Sequence, residues 1–281
     1  MNILIIFLKT IILGIVQGIT EWLPISSTGH MILINDLMPL VVYKDVAMNK
    51  DFMDMFMVVI QFGSILAVLL LYFKRLNPFK RNKNKKIVVK KDTINLWKKV
   101  IVGIIPAGII GVLFDDIIDT YLYNSLTVAI MLIVYGILFI LIENRNKNKE
   151  PKLKTIKEMS YKDAFKVGCF QVLALIPGTS RSGSTILGGM ILGLKRSLAA
   201  EFSFFMAIPV MFGASALKLI KLSMHLDGLG LSVLLVGVVV AFAVSIIAIK
   251  GFIKYINSHD FKAFGYYRIV LGIIILLLML F

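Results

Sequence analysis

Glu21, His30 and Arg181 are ionisable residues set inside long apolar stretches. In hydrocarbon a charge persists only where it is buried against protein or lines a polar cavity, so each is a candidate for chemistry. Arg181 offers a planar, bidentate donor suited to phosphate. The hydroxyls of Ser180, Ser182, Ser184 and Thr185 surround it in sequence and add further donors to a diphosphate, as do Ser26 and Thr28 on the facing segment. Ser27 and His30 stand three apart, which on a helix puts a nucleophile and a base on one face. Gln17 and Glu21 stand four apart and also share a face, giving oxygen ligands for a hard divalent cation such as Mg²⁺ or Ca²⁺. A cation-holding carboxylate, a hydroxyl, a histidine and an arginine are the parts of a phosphoryl transfer. They fit a phosphate ester or anhydride whose remainder is lipid. Bland roles compete at some positions: Ser26, Ser182 and Ser184 are also good helix caps or close-packing residues. Asp51 and Glu201, at the starts of apolar runs, suit a helix dipole better than chemistry.

The elements that must bring these residues together are two interrupted apolar stretches. Residues 3 to 34 are too long for one helix and are broken by Glu21, Trp22, Leu23, Pro24 and the polar run Ser26 to His30. Residues 164 to 194 have the same form, broken from Pro177 to Thr185. Each half is about 14 residues, short of the 17 or more a crossing needs, so each stretch reads as a re-entrant helical hairpin. Helices restarting near Ser26 and Ser182 would aim unpaired N–H groups and positive dipole ends at a shared point, which is an anion site.

The rest of the chain supports a membrane setting. Of 281 residues 58% are hydrophobic, and the net charge is +15. Apolar runs at 52–73, 97–114, 122–142, 200–222, 229–249 and 265–281 are long enough for a hydrocarbon core of ~30 Å. The chain therefore reads as an all-α polytopic membrane protein with six spans. Basic residues cluster at 74–99, 143–162, 195–196 and 250–268. With two hairpins and six spans all four clusters fall on one side, the cytoplasmic one, leaving both termini, residues 35–51 and an acidic turn at Asp115, Asp116 and Asp119 outside. The basic clusters carry few aromatics, which speaks against nucleic acid as a partner. Cys169 is the single cysteine, so neither an intrachain disulfide nor a cysteine metal cluster is available. No basic stretch precedes the first apolar segment and no small-residue cleavage site follows it, so that segment is expected to stay in the mature protein. His225 and His259 fall in loops.

Each half, about 1–145 and about 160–281, then holds one hairpin and three spans, and an odd number of crossings inverts the second half. Gly14 and Gln17 match Gly168 and Gln171, Pro24 matches Pro177, and Phe62-Gly63 matches Phe212-Gly213. The expectation is one membrane domain built as an inverted-topology repeat, with its site where the two breaks meet. A transporter is the competing class, since this architecture is common among transporters.

The strings Gln17-Gly-Ile-Thr-Glu21, Leu23-Pro-Ile-Ser-Ser-Thr-Gly-His30 and Pro177-Gly-Thr-Ser-Arg-Ser-Gly-Ser-Thr185 closely resemble the signatures of the undecaprenyl-diphosphate phosphatase family, the bacitracin-resistance proteins of bacterial envelopes. The resemblance extends over essentially the whole chain. It implies a hydrolase that removes the terminal phosphate of undecaprenyl diphosphate, recycling the lipid carrier of cell-wall synthesis, in the plasma membrane with the site open to the outside. By position it makes Glu21, His30 and Arg181 essential, Ser27 the nucleophile and Arg196 a supporting residue. Gln17 stands where the family accepts Glu or Gln, which weakens a two-carboxylate metal site. The implied partners are the polyprenyl diphosphate, the membrane and a second copy of the chain as a homodimer. The other membrane lipid phosphatase superfamily requires a histidine six residues after its arginine, and here that residue is Leu187.

Overall fold

A computed structural model describes residues 2–81, 86–221 and 226–280; His225 and the last residue of each run expected at 200–222 and 265–281 lie outside them. The chain is almost entirely helical. Asn2 caps α1 (Ile3–Thr20), and after a turn α2 (Ser27–Leu37) follows. Then come α3 (Val46–Leu71), the short α4 (Phe73–Leu76), and a small antiparallel hairpin of β1 (Phe79–Arg81) and β2 (Ile87–Val89). Next are α5 (Lys91–Leu122) and α6 (Ser125–Asn146). The second half repeats the form: α7 (Tyr161–Val172) with a 3₁₀ turn at Leu173–Leu175, then α8 (Arg181–Ile191), α9 (Arg196–Lys221), α10 (Gly228–Ser258) and α11 (Lys262–Leu278).

Among the described residues six helices are long and apolar enough to cross a membrane: α1, α3, α5 over 91–114, α6, α9 over 196–216, and α10. Five of these are expected spans. The sixth, α1, runs for 18 residues where the sequence suggests a half of about 14. The helix continues to Thr20 and is capped only at Glu21, where the break begins. The expected span at 265–281 is instead the 17-residue α11. The acidic turn is no turn; Asp115, Asp116 and Asp119 continue α5, which ends at Leu122.

Two packing relations matter for the site. α1 lies along α10, and α7 lies along α5. Both contacts depend on a glycine at matched positions. A Cβ on Gly14 would sit 3.1 Å from the Gly237 carbonyl oxygen, and one on Gly168 only 2.1 Å from that of Gly103. In lipid, where helices gain nothing from hiding apolar surface from each other, such close backbone approach is a main source of cohesion. α6 and α11 pack along each other and close the other side. Where loops cover helix ends, side chains finish the job: Asp227 caps α10 at Gly230 N–H (2.7 Å) and accepts the Tyr43 hydroxyl (2.9 Å). Partial burial, and then that carboxylate, push the Tyr43 phenol pKa above its ordinary value.

Candidate active site

The two breaks share one backbone solution. Ser26 and Ser180, the residues before α2 and α8, have φ of 72° and 73°, the positive-φ non-glycine residues among those described. Each costs about 1–2 kcal/mol for an L-residue, offset by capping: the Ser26 hydroxyl accepts from Gly29 N–H at 3.2 Å and the Ser180 hydroxyl from Gly183 N–H at 3.1 Å. A sharp turn results, and it points the first turn of α8, beginning at Arg181, towards the first break.

There Arg181 meets Glu21. Arg181 Nη2 donates to Glu21 Oε1 at 2.8 Å, and Nη1 to the Ser203 carbonyl at 3.0 Å. The guanidinium also stacks 5.6 Å from the Trp22 ring centroid. The other oxygen of Glu21 accepts two more hydrogen bonds, from Gln17 Nε2 and from Ser27 Oγ, both at 2.9 Å. Glu21 is 7% exposed, so these bonds act in a medium that strengthens them. A hydroxyl within hydrogen-bond reach of a base that is itself oriented by further groups is the arrangement of an activated nucleophile.

This cluster opens on a cavity of about 510 Å³ lined by Glu21, Ser27, Thr28, Gln171, Ser180 and Arg181, with apolar walls from α5 and the 3₁₀ turn. A second cavity, about 550 Å³ and more polar, shares Ser27, Thr28 and Gln61 with it and adds Gln17, Lys50 and Asp54. The pair offers a polar chamber joined to an apolar one, with Ser27 at the junction.

Several expected residues stand elsewhere. His30 does not bond to Ser27 despite sharing its helix. Nδ1 lies 2.7 Å from the Ser26 carbonyl and Nε2 2.7 Å from the Tyr267 hydroxyl, and the ring lines a different, apolar cavity of about 780 Å³ between α1, α10 and α11. The base beside Ser27 is Glu21. Ser182, Ser184 and Thr185 are buried, and protein partners occupy their hydroxyls. Ser182 donates to the carbonyls of Glu21 and Leu23 (both 3.2 Å), Ser184 is paired with Tyr135, and Thr185 donates to Ser203 Oγ at 2.7 Å. They position the break and do not line the cavity: Ser182 faces the first break, Ser184 faces α6 and Thr185 faces α9. Arg196 is also remote: it forms a bidentate pair with the buried carboxylate of Glu143, which in turn accepts from Phe261 N–H at 3.0 Å. Its role is to tie α9 to α6 and to the start of α11.

Among the described residues no three His, Cys, Asp or Glu side chains converge as a metal cage. Glu21 is the one carboxylate at the centre and is already balanced by Arg181. The side-chain oxygens of Gln17, Glu21 and Ser27 are hard donors of the kind a divalent cation such as Mg²⁺ or Ca²⁺ takes.

The residue that sequence reading missed is Arg268. Counted there with a cytoplasmic basic cluster, it is fully buried. It donates to the Pro24 carbonyl (3.0 Å) in the first break and to those of Gly178 (2.8 Å) and Thr179 (3.0 Å) in the second. Further contacts reach Met131 and Leu132 on α6. An arginine inside the apolar run of α11 was the available signal.

A family model described as bacitracin resistance protein BacA matches residues 10–274. The chain belongs to the BacA family. Individual BacA relatives agree over nearly the full length. An undecaprenyl-diphosphatase of Desulfitobacterium hafniense is 57% identical over 96% of this chain and 94% of its own. Undecaprenyl-diphosphatase 1 of Clostridioides difficile is 58% identical over 95% and 94%, and one from Enterococcus faecalis 56% over 95% of each. Family membership covers both breaks and Arg268 alike.

Proposed function

We propose that this chain is an integral membrane undecaprenyl-diphosphatase, hydrolysing undecaprenyl diphosphate to undecaprenyl phosphate and phosphate. One observation carries the reading onto particular residues: the Gln17–Glu21–Ser27 and Glu21–Arg181 hydrogen bonds at the junction of a polar and an apolar cavity. The apolar chamber accommodates the first isoprene units, and Arg181 with the first turn of α8 holds the diphosphate. Ser27 attacks the terminal phosphorus and passes its proton to Glu21 Oε2; the bond from that phosphorus to the bridging oxygen breaks. Glu21 hands that proton to the departing bridging oxygen as undecaprenyl phosphate leaves; its regenerated carboxylate then deprotonates a water that attacks the phosphoserine, and the proton returns to Ser27 Oγ as phosphate is released. Thr28 and Ser180 contribute cavity-facing hydroxyls. Ser26 and, through Tyr267, His30 fix the start of α2. A Mg²⁺ or Ca²⁺ brought by the diphosphate would take Glu21, Gln17 and Ser27 oxygens and neutralise phosphate charge.

The architecture in this reading is an inverted-topology repeat with two re-entrant hairpins, α1–α2 and α7–α8. Its support is the matched pair of positive-φ serines and the exchange of partners, α1 with α10 and α7 with α5. The basic clusters put 143–162 in the cytoplasm and the cavity with Ser27 on the outer side, in a bacterial plasma membrane.

The test is phosphate release from undecaprenyl diphosphate by purified protein in detergent, with and without chelator. Turnover supports the enzyme. Binding of the lipid without phosphate release in detergent, where no second leaflet exists, would point instead to a transporter.

A further inference from the structure

Gln171 is 2% exposed and lines the same cavity as Glu21, Ser27 and Arg181. Its side-chain oxygen has no hydrogen-bond partner. A buried amide left in that state is costly, and native proteins keep few such groups without a use for them. The reason for the orphan is visible in the repeat. Gln171 corresponds to Gln17, whose amide is held by Glu21 four residues on. Four residues after Gln171 stands Leu175, so the second half has kept the amide and lost the carboxylate that would engage it. Nothing else near it in the chain competes: the neighbouring cavity residues Ala174, Leu175 and Ile176 offer apolar side chains.

We infer that Gln171 is a substrate-contacting residue, its amide N–H donating to the diphosphate headgroup and its unpartnered oxygen accepting from the water that hydrates that group. A carboxamide carries a donor as well as an acceptor. It can turn to donate N–H to a phosphoryl oxygen while its own oxygen accepts from the water hydrating that group. Unlike a second carboxylate, it adds no negative charge against an anionic ligand, so the departure from Glu at 175 and the retention of Gln at 171 serve the same end. The first hairpin therefore supplies the nucleophile and base, and the second supplies the neutral and cationic donors. This rests on reading the cavity of about 510 Å³ as the headgroup site.

The deciding experiment compares Gln171→Met with the parent chain in two measurements, thermal unfolding of the detergent-purified protein and steady-state phosphate release from undecaprenyl diphosphate. A substrate contact predicts opposite directions. Removing the orphaned amide leaves the unfolding temperature unchanged or raised, while KM rises about tenfold, the scale of one hydrogen bond to a charged group. A purely structural role predicts the reverse, a lowered unfolding temperature with KM unchanged, and that result overturns the proposal. Should the methionine variant not purify folded, Gln171→Ala carries the same expectation for KM, and an unchanged KM there overturns it equally. Arg181→Lys run alongside separates the two levels: near-normal turnover in that variant would mean that the cavity itself has been misread, whereas its loss with normal kinetics at position 171 would remove Gln171 alone.

Discussion

Glu21 shows how much one carboxylate can organise. Arg181, Gln17 and Ser27 all donate to it, so in the proposed mechanism it serves at once as counter-ion to the arginine and as base for the hydroxyl. Arg181→Lys keeps the charge but gives up the fork that spans Glu21 and the Ser203 carbonyl. We expect a fall of about 100-fold or more in kcat, on the scale of losing one transition-state donor, measured as phosphate release. Ser27→Ala separates two chemistries. A nucleophilic serine predicts activity at background, and full activity would assign the attack to water. Removing the Tyr267 hydroxyl as Tyr267→Phe should cost much less than either, because it touches His30 and not the Ser27 junction; a loss matching that of Arg181→Lys would return His30 to the reaction itself. Residue types at this scale were legible in the sequence, since charges in apolar runs need a reason. Their pairing was not. Whether His30 turns to Ser27 or away depends on Tyr267, which lies 237 residues further along the chain, and helical spacing carries no information about it.

At the scale of elements the two breaks were legible from Pro24, Pro177 and their serine-rich sequels, and so were five of the six long apolar helices. What sequence could not reveal is how broken helices are held. Hydropathy averages over a window, and Arg268 at the edge of one reads like a loop charge. In the fold its guanidinium fans over carbonyls of both breaks, stacking 5.5 Å from the Tyr135 ring centroid. Arg268→Met would leave these buried acceptors without donors, each worth about 1–3 kcal/mol. A drop of several degrees in the unfolding temperature together with loss of turnover is expected. Unchanged stability in a thermal melt would show that water can take over the clamp. The β1–β2 hairpin was also invisible, hidden in a stretch whose dominant signal is positive charge.

For the whole molecule the strongest sequence signal is orientation, which in the proposed reading puts the basic segment 143–162 on the cytoplasmic side. Single cysteines placed there, with Cys169 replaced, should react with an impermeant reagent only after the inner face is opened. Labelling of intact cells at these sites would invert the topology. The count of orienting charges needs trimming, however. Lys99 is buried with its ammonium on the Ile156 carbonyl at 2.7 Å; Arg268 is likewise spent inside the protein, and Arg196, though partly exposed, is committed to the buried Glu143 carboxylate. A basic residue near a span end serves either the membrane field or the packed interior, and only tertiary contacts tell which.

The position of Arg268 also has a bearing on biosynthesis. The chain emerges from its N-terminus, so Pro24 and its break exist long before the guanidinium that will hold their carbonyls. Throughout synthesis of the first 267 residues, both breaks lack their common donor. Helix α11 is therefore the one that completes the site, and a nascent chain that stops short of it has every residue of the Glu21–Arg181 cluster but no lock on the turns that bring them together. A chain truncated before α11 is expected to show no phosphate release.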